Sequence, residues 1–288
     1  MEIANILGEQ FHKASSDIQY HETTNRKSHL ISLNTNNQNP INSAFTQSEL
    51  QTVLANCRIS AAGPDNIASI FLKRLSTKAQ DTLLTIFNHL WQQRKFSDIW
   101  RRAITLPILK PGKTPTNALS YRPISLTCTL CKLFEKLVNT GILWYLADKS
   151  YLHKAQSGFR PNRLTLDSLL VLHTEVCRAF TNHQNLISIF VDQEKAFDTV
   201  WRYRILKQLS EWKIGGKMQN FLHNFLPHRT FQVKLHNTCC RPFPQINGIP
   251  QGYVLRFTLY LVAINNLSKI FSKPVMTSLY ADVISYFL

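Results

Sequence analysis

An α+β fold is predicted by three observations. Leu133, Phe134, Leu137 and Val138 repeat with helical period inside 132–146, and several other segments share that pattern. Phe231, Val233 and Leu235 alternate with polar residues, and the stretch 186–191, apolar but for Ser188, reads as apolar on both faces, both of which are strand patterns. The chain has 288 residues, of which 44% are hydrophobic, enough to bury a sizeable core in one large domain or two small ones.

The elements follow in order. Residues 1–20 are weakly helical, and the polar Asn/Thr/Ser/His tract that follows reads as a linker ending at Asn39-Pro40, so 1–44 is set apart as an N-terminal extension. Thr46 with Glu49 forms a capping box that opens a helix. Gly63-Pro64-Asp65 is a turn into a second helix, and 81–91 is a third. Residues 103–109 form a short apolar strand. Lys110 to Lys113 turns the chain, and Pro123 keeps 121–125 extended. The segment 164–180 places apolar residues at 166, 169, 170, 176, 177 and 180, an amphipathic helix. The strand 186–191, expected to be covered on both faces, ends in Asp192. Asp198 suits the N-cap of a helix over 200–212, and 217–226 is helical. Gly248 to Gly252 is a turn feeding a helix over 254–271. Strands at 277–280 and 284–288 join at Asp282.

Charge narrows the function. Lys and Arg total 33 against 17 acidic residues, a net charge of +16. Between Arg101 and Arg163 there are eleven Lys/Arg and two acids, so a local +9 sits in under a quarter of the chain. Prolines and aromatics interleave these charges, and no basic amphipathic helix appears. The pattern therefore favours nucleic acid over a membrane surface. Cys128 and Cys131 have Cys-x-x-Cys spacing but no second pair with zinc spacing, so they read as buried free thiols. Glu2 follows Met1 where a secretory signal would be basic then apolar. The longest apolar run, 253–264, is broken by Arg256 and too short to span a bilayer. These features give an intracellular, reduced protein of the cytoplasm or nucleus, not a secreted or membrane one.

Asp192 and Asp282 each end a strand, far apart in sequence. Hard oxygen ligands on a rigid sheet are what a pair of magnesium ions requires.

Six motifs complete the picture in a fixed order: AAGPDNI, LPILKPGK, YRPISL, QSGFRPNR, FVDQEKAFDTVW and GIPQG, followed by YAD. From about Gly63 to its last residue the chain resembles the reverse transcriptases of non-long-terminal-repeat retrotransposons, most like the jockey-type elements. The resemblance implies a right-hand polymerase, with fingers over 45–185 and an antiparallel palm sheet with packed helices over 186–288. The reverse-transcriptase domain as a whole would cover about 91–288. It implies copying of element RNA onto a DNA primer using deoxynucleoside triphosphates, with two Mg²⁺ ions, or Mn²⁺, as cofactors. Asp192 and Asp282 match the metal-binding catalytic carboxylates. Phe197 matches the aromatic that closes the sugar pocket, and Lys110 and Arg122 match cations that grip the triphosphate. Gln251 and Gly252 match the motif beneath the nucleotide and template base. Arg160 and Arg163 with Phe159 would track the template backbone.

The sequence departs from the family pattern late. Val283 stands where a second aspartate is usual, Tyr253 where serine is usual, Arg256-Phe257 in place of Ser-Pro, and Asn266 in place of aspartate. The chain ends eight residues after Tyr280, so the expectation is a truncated, decayed copy without a thumb. A catalytically dead nucleic-acid-binding remnant is the alternative. Phe197 argues against an RNA-copying RNA polymerase, which must admit the ribose 2′-hydroxyl.

Overall fold

The computed structural model describes residues 1–16, 38–59, 61–249, 251–272 and 274–288. Two sheets organise the chain. In the first, β1 (Arg102–Leu109) and β2 (Tyr121–Leu126) pair antiparallel, with Ile108 opposite Arg122. β4 (Arg229–Leu235) joins β1 in parallel, and the short strands β5 (Thr238–Cys239) and β6 (Phe243–Gln245) both pair with β4. In β4, Phe231 and Val233 are buried while Gln232 and Lys234 are less so, which is the half-buried strand its alternation predicts. The second sheet is antiparallel, in the order β3 (Ser188–Asp192), β8 (Val283–Phe287), β7 (Met276–Tyr280).

The helices are α1 (Glu2–Ala14), α2 (Gln47–Ala55), α3 (Ser69–Lys73), α4 (Thr77–Gln93), α5 (Thr129–Asp148), α6 (Thr165–Thr181), α7 (Arg202–Glu211), α8 (Gly216–Phe225) and α9 (Arg256–Ile264). The capping box forms: Glu49 N donates to Thr46 Oγ1 at 3.3 Å, and Thr46 N donates to Glu49 Oε2 at 2.7 Å. Asp65 of the AAGPDNI turn accepts from Thr129 N at 2.8 Å and so satisfies a free amide at the start of α5. The main core lies where α5 meets α4 and α8. Phe134 is fully buried and has ring neighbours Phe45, Phe87, Trp100 and Phe221 at 5.0–5.8 Å. Such ring pairs add about 0.5–1.5 kcal/mol each beyond area burial.

A second, smaller core lies under α1. Ala4, Leu7, Phe11 and Ala14 recur at helical spacing and are buried against Ala103, Phe231, Val233 and Phe243. A Cβ on Gly8 would strike the Phe243 ring, so glycine sets the closeness of this helix to the sheet. Glu9 pairs with Arg241 at 3.1 Å, and Asn247 N donates to Ser15 O at 2.9 Å. The N-terminal helix is thus part of the folded unit. The polar tract expected as a linker lies largely at 17–37, outside the described residues.

Four expectations are corrected. The strand at 186–191 forms as β3, but all five of its residues are exposed rather than covered on both faces. Among the described residues it is an edge strand bonded to β8 alone, and α6 packs toward β7 at the opposite edge. The α6 helix forms, yet none of its residues is buried, and Leu166, Leu169, Leu170 and Phe180 point to solvent. Asp198 is not an N-cap: Asp198 N and Thr199 N both donate to Lys195 O in a tight turn, and α7 begins only at Arg202. The helix expected over 254–271 stops at Ile264 and continues as a 3₁₀ segment, Asn265–Lys269. Among the described residues no helix is long and apolar enough to cross a membrane.

Candidate functional site

A cleft of about 480 Å³ opens between the two sheets. Its lining brings together Lys110, Arg122, Asp192, Phe197, Gln251 and Asp282, six residues spread over more than half the chain. Each arrives by a local cause. Lys110 and Arg122 come from the open end of the β1–β2 pair, where Lys110 N donates to Ser120 O at 2.8 Å. The Lys110 Nζ donates to Leu119 O at 2.9 Å, which holds the ammonium at the rim.

Asp192 closes β3 opposite Val283, the first residue of β8, and Asp282 immediately precedes Val283. Gln193 N donates to Asp282 O at 3.3 Å, so the backbones at the two carboxylates are directly joined. Asp282 sits in the two-residue turn between β7 and β8, where Ala281 takes φ 57°. A non-glycine residue in that region is uncommon and needs support from its surroundings. The support comes from the QSGFR loop. Ser157 N donates to Leu279 O at 2.8 Å and Leu279 N donates to Ala155 O at 2.9 Å. A Cβ on Gly158 would collide with the Ala281 amide nitrogen, so only glycine admits this approach.

An aromatic group lies beside the carboxylates. Phe197 is 5.0 Å from Tyr260 and 5.8 Å from Phe257, and Phe159 lies 4.4 Å from Phe257. The Arg256 guanidinium covers Phe257 at 4.2 Å and Phe197 at 5.6 Å, so Arg256 and Phe257 pack around Phe197. The Tyr260 hydroxyl bonds the Gln193 side chain. Burial first, then the charges of Asp282 and Asp192, push that hydroxyl well above the usual tyrosine value. Tyr260 escapes sequence reasoning because its apolar helix reads as core.

Gly252 is not on the cleft lining, which its neighbour Gln251 reaches. Its φ is +130°, a Cβ there would strike Ser125 O, and Ser125 N donates to Gln251 O at 2.7 Å. The turn thus locks onto β2; its Pro250 lies outside the described residues. Arg160 is not a free surface cation: its Nη1 donates to His153 O at 3.1 Å and Gln156 O at 3.2 Å. Arg163 is exposed. Cys128 and Cys131 are buried in the helical core, with Cys131 Sγ 3.2 Å from Glu135 Oε1.

Residues 108–287 match the family model for reverse transcriptase (RNA-dependent DNA polymerase). The chain belongs to the reverse transcriptase family. It is similar to the probable RNA-directed DNA polymerase from transposon BS of Drosophila melanogaster, 32% identical over 200 residues, covering 69% of this chain and 22% of that protein. It is 30% identical over 247 residues to the RNA-directed DNA polymerase from mobile element jockey of the same fly, covering 83% of this chain and 27% of the relative. The jockey polymerase of Drosophila funebris is 29% identical over 233 residues, 78% of this chain and 25% of that protein. The chain spans about a quarter of the length of these curated relatives.

Among the described residues no group of three or more His, Cys, Asp or Glu side chains could hold a metal ion together. Asp192 and Asp282 nonetheless offer two hard oxygen donors from adjoining strand ends, the donor chemistry magnesium takes. As a two-carboxylate set they fit such an ion in donor type, with the remaining ligands to come from outside these two side chains.

Proposed function

We propose that the cleft is the nucleotidyl-transfer site of an RNA-directed DNA polymerase, with fingers over 45–185 and a palm over 186–288. The observation that carries this reading is the meeting of Asp192 and Asp282 at neighbouring strand ends, on one cleft with Lys110 and Arg122. Asp192 and Asp282 would hold two Mg²⁺ ions, or Mn²⁺, which when bound supply charge neutralisation on the triphosphate and activation of a primer 3′-hydroxyl. The remaining work is positioning, which dominates phosphoryl transfer. Lys110 and Arg122 offset the triphosphate charge, Arg122 with a fork that can take two oxygens at once. Phe197 stands beside the sugar, where a bulky ring excludes a ribose 2′-hydroxyl. Gln251 and Gly252 shape the floor under the nucleotide. Phe159, Arg160 and Arg163 guide the RNA template, Arg163 through exposed charge and Arg160 through the loop it fastens.

Val283 supports a second reading, in which the chain binds nucleic acid and nucleotide without turning over. Valine stands opposite Asp192 and offers neither charge nor lone pair. Removing one element of a preorganised site costs about 10²–10³ in rate. The chain as it stands should therefore extend a DNA primer on an RNA template barely or not at all, and Val283→Asp should raise extension. Brisk Mg²⁺-dependent extension by the unaltered chain, abolished by Asp282→Ala, would overturn the second reading. Single-stranded RNA should bind with affinity falling linearly in log salt, with a slope of about −0.7 per phosphate contact. Binding indifferent to salt would remove the nucleic-acid reading altogether.

A further inference from the structure

Gln251 is held by its backbone from two sides. Ser125 N donates to Gln251 O at 2.7 Å, and two residues earlier Ile249 N donates to Phe197 O at 2.8 Å. Gly248 N donates to Val200 O at 2.9 Å, and its φ of +73° with Asp198 O where a Cβ would sit lets the two segments touch. The side chain is held separately: among the described residues its hydrogen-bond partner is Asp198, with Gln251 Nε2 donating to Asp198 Oδ2 at 3.3 Å. Both residues line the cleft that holds Asp192, Asp282, Lys110 and Arg122.

We propose that Asp198 is a positioning residue that fixes which end of the Gln251 amide is presented to the nucleotide. The inference rests on the cleft being a nucleotide site. A primary amide is nearly symmetric in shape but not in chemistry: one end donates twice, the other only accepts. An ionised carboxylate only accepts, so it captures the NH₂ end and leaves Oε1 for the cleft. The cleft then offers an acceptor, which selects a hydrogen-bond donor on the nucleotide, either a sugar hydroxyl or a base N–H. A protonated Asp198 can donate instead, which permits the amide to turn over and present NH₂.

The switch falls in an accessible range. Burial pushes the Asp198 carboxyl up to about 6, against the opposing pull of the Gln251 hydrogen bond and the Lys195 charge. The other charged side chains on the cleft are Lys110, Arg122, Asp192, Glu194 and Asp282, while α1 contributes uncharged Gln10, Phe11 and Ala14.

The test uses the full chain and two readouts. The first follows the Gln251 side-chain amide resonance by NMR without ligand, assigned by its loss in Gln251→Ala. It should titrate with a midpoint near pH 6, and Asp198→Asn should flatten it. An amide that does not titrate, or one that titrates unchanged in Asp198→Asn, overturns the proposal. The second measures dTTP affinity with Mg²⁺ at about pH 5 and about pH 8, on either side of an ordinary histidine-range titration. Relative to Gln251→Ala, the parent should lose about 3- to 10-fold on acidification, the worth of one hydrogen bond. Asp198→Asn should show no such relative change, and neither should Gln251→Met, which keeps the bulk and serves if Asp198→Asn does not fold. Repeating with a 3′-deoxy nucleotide separates the sources. Loss of the pH-dependent component assigns the donor to the sugar, and its retention assigns it to the base. A normal amide titration in a chain that binds no dTTP would refute the nucleotide reading of the cleft. A normal titration with dTTP bound equally well at both pH values would refute the role of the switch alone.

Discussion

The two sheets support the cleft in opposite ways. The β1–β2–β4 sheet, which presents Lys110 and Arg122, is covered by α1, and its buried Thr105 and Ser125 side chains lie 3.2 Å apart. The β3–β8–β7 sheet presents the carboxylates, and it is uneven. Asp282 rests on a turn buttressed by the QSGFR loop, whereas Asp192 ends an edge strand whose every residue is exposed. Asp282 is fixed by the loop packed on its turn, whereas Asp192 depends on strand pairing to β8 and on the contacts of its neighbour Gln193. An apolar edge of this kind is a template for unwanted pairing, so natural folds usually shield it. The difference teaches that the precision of the site is limited by its least supported strand, not by its best packed core.

Four substitutions sharpen the contrast. Phe134→Ala removes the centre of the aromatic core and should cost about 3–5 kcal/mol in denaturant unfolding. Gly158→Ala forces a methyl against the Ala281 amide and should cost about 1–3 kcal/mol. It should also shift the Asp282 resonances while leaving those of β1 in place. Asp198→Asn should stabilise at neutral pH, by on the order of 1–2 kcal/mol. The sign follows from the raised carboxyl. The unfolded chain gives up this proton first as pH rises, so the Asp198 contribution to stability is lost between the ordinary carboxylate range and about 6. The gain should therefore vanish in thermal melts near pH 4, the ordinary aspartate value. Phe190→Ala, on a side chain 59% exposed, should change stability by about 0.5 kcal/mol or less. A Phe190 cost equal to that of Phe134 would mean that β3 is covered in solution, and the asymmetry between the sheets would fall. Hydrogen exchange gives a finer reading: β3 amides should exchange faster than those of β1 and β4.

Much of the fold was legible in the sequence. The capping box at Thr46, the alternation in β4, the periodic core of α5 and the strand-end positions of Asp192 and Asp282 each have a local chemical signature, and each appears. What was not legible depends on company. An apolar run says that a strand can be buried, not that anything covers it, and so β3 misled. Asp198 has the composition of a cap, but the Lys195 turn and the GIPQG loop claimed it. The α1 helix carries its apolar stripe openly at Ala4, Leu7, Phe11 and Ala14, yet its seat on the cleft wall is set by Phe243 and Arg241, far along the chain. Gly158 stood in a recognisable motif, but its purpose is visible only with Ala281 against it.

The central claim is that Asp192 and Asp282 act together as a metal-binding pair despite their unequal support. Electron paramagnetic resonance of Mn²⁺ titrated into the full chain with a deoxynucleoside triphosphate tests it directly. Asp192→Asn and Asp282→Asn should each abolish the protein-dependent Mn²⁺ signal, and Val283→Asp should strengthen it by adding a third carboxylate. Undiminished Mn²⁺ binding in the folded Asp192→Asn, Asp282→Asn double variant would contradict the account.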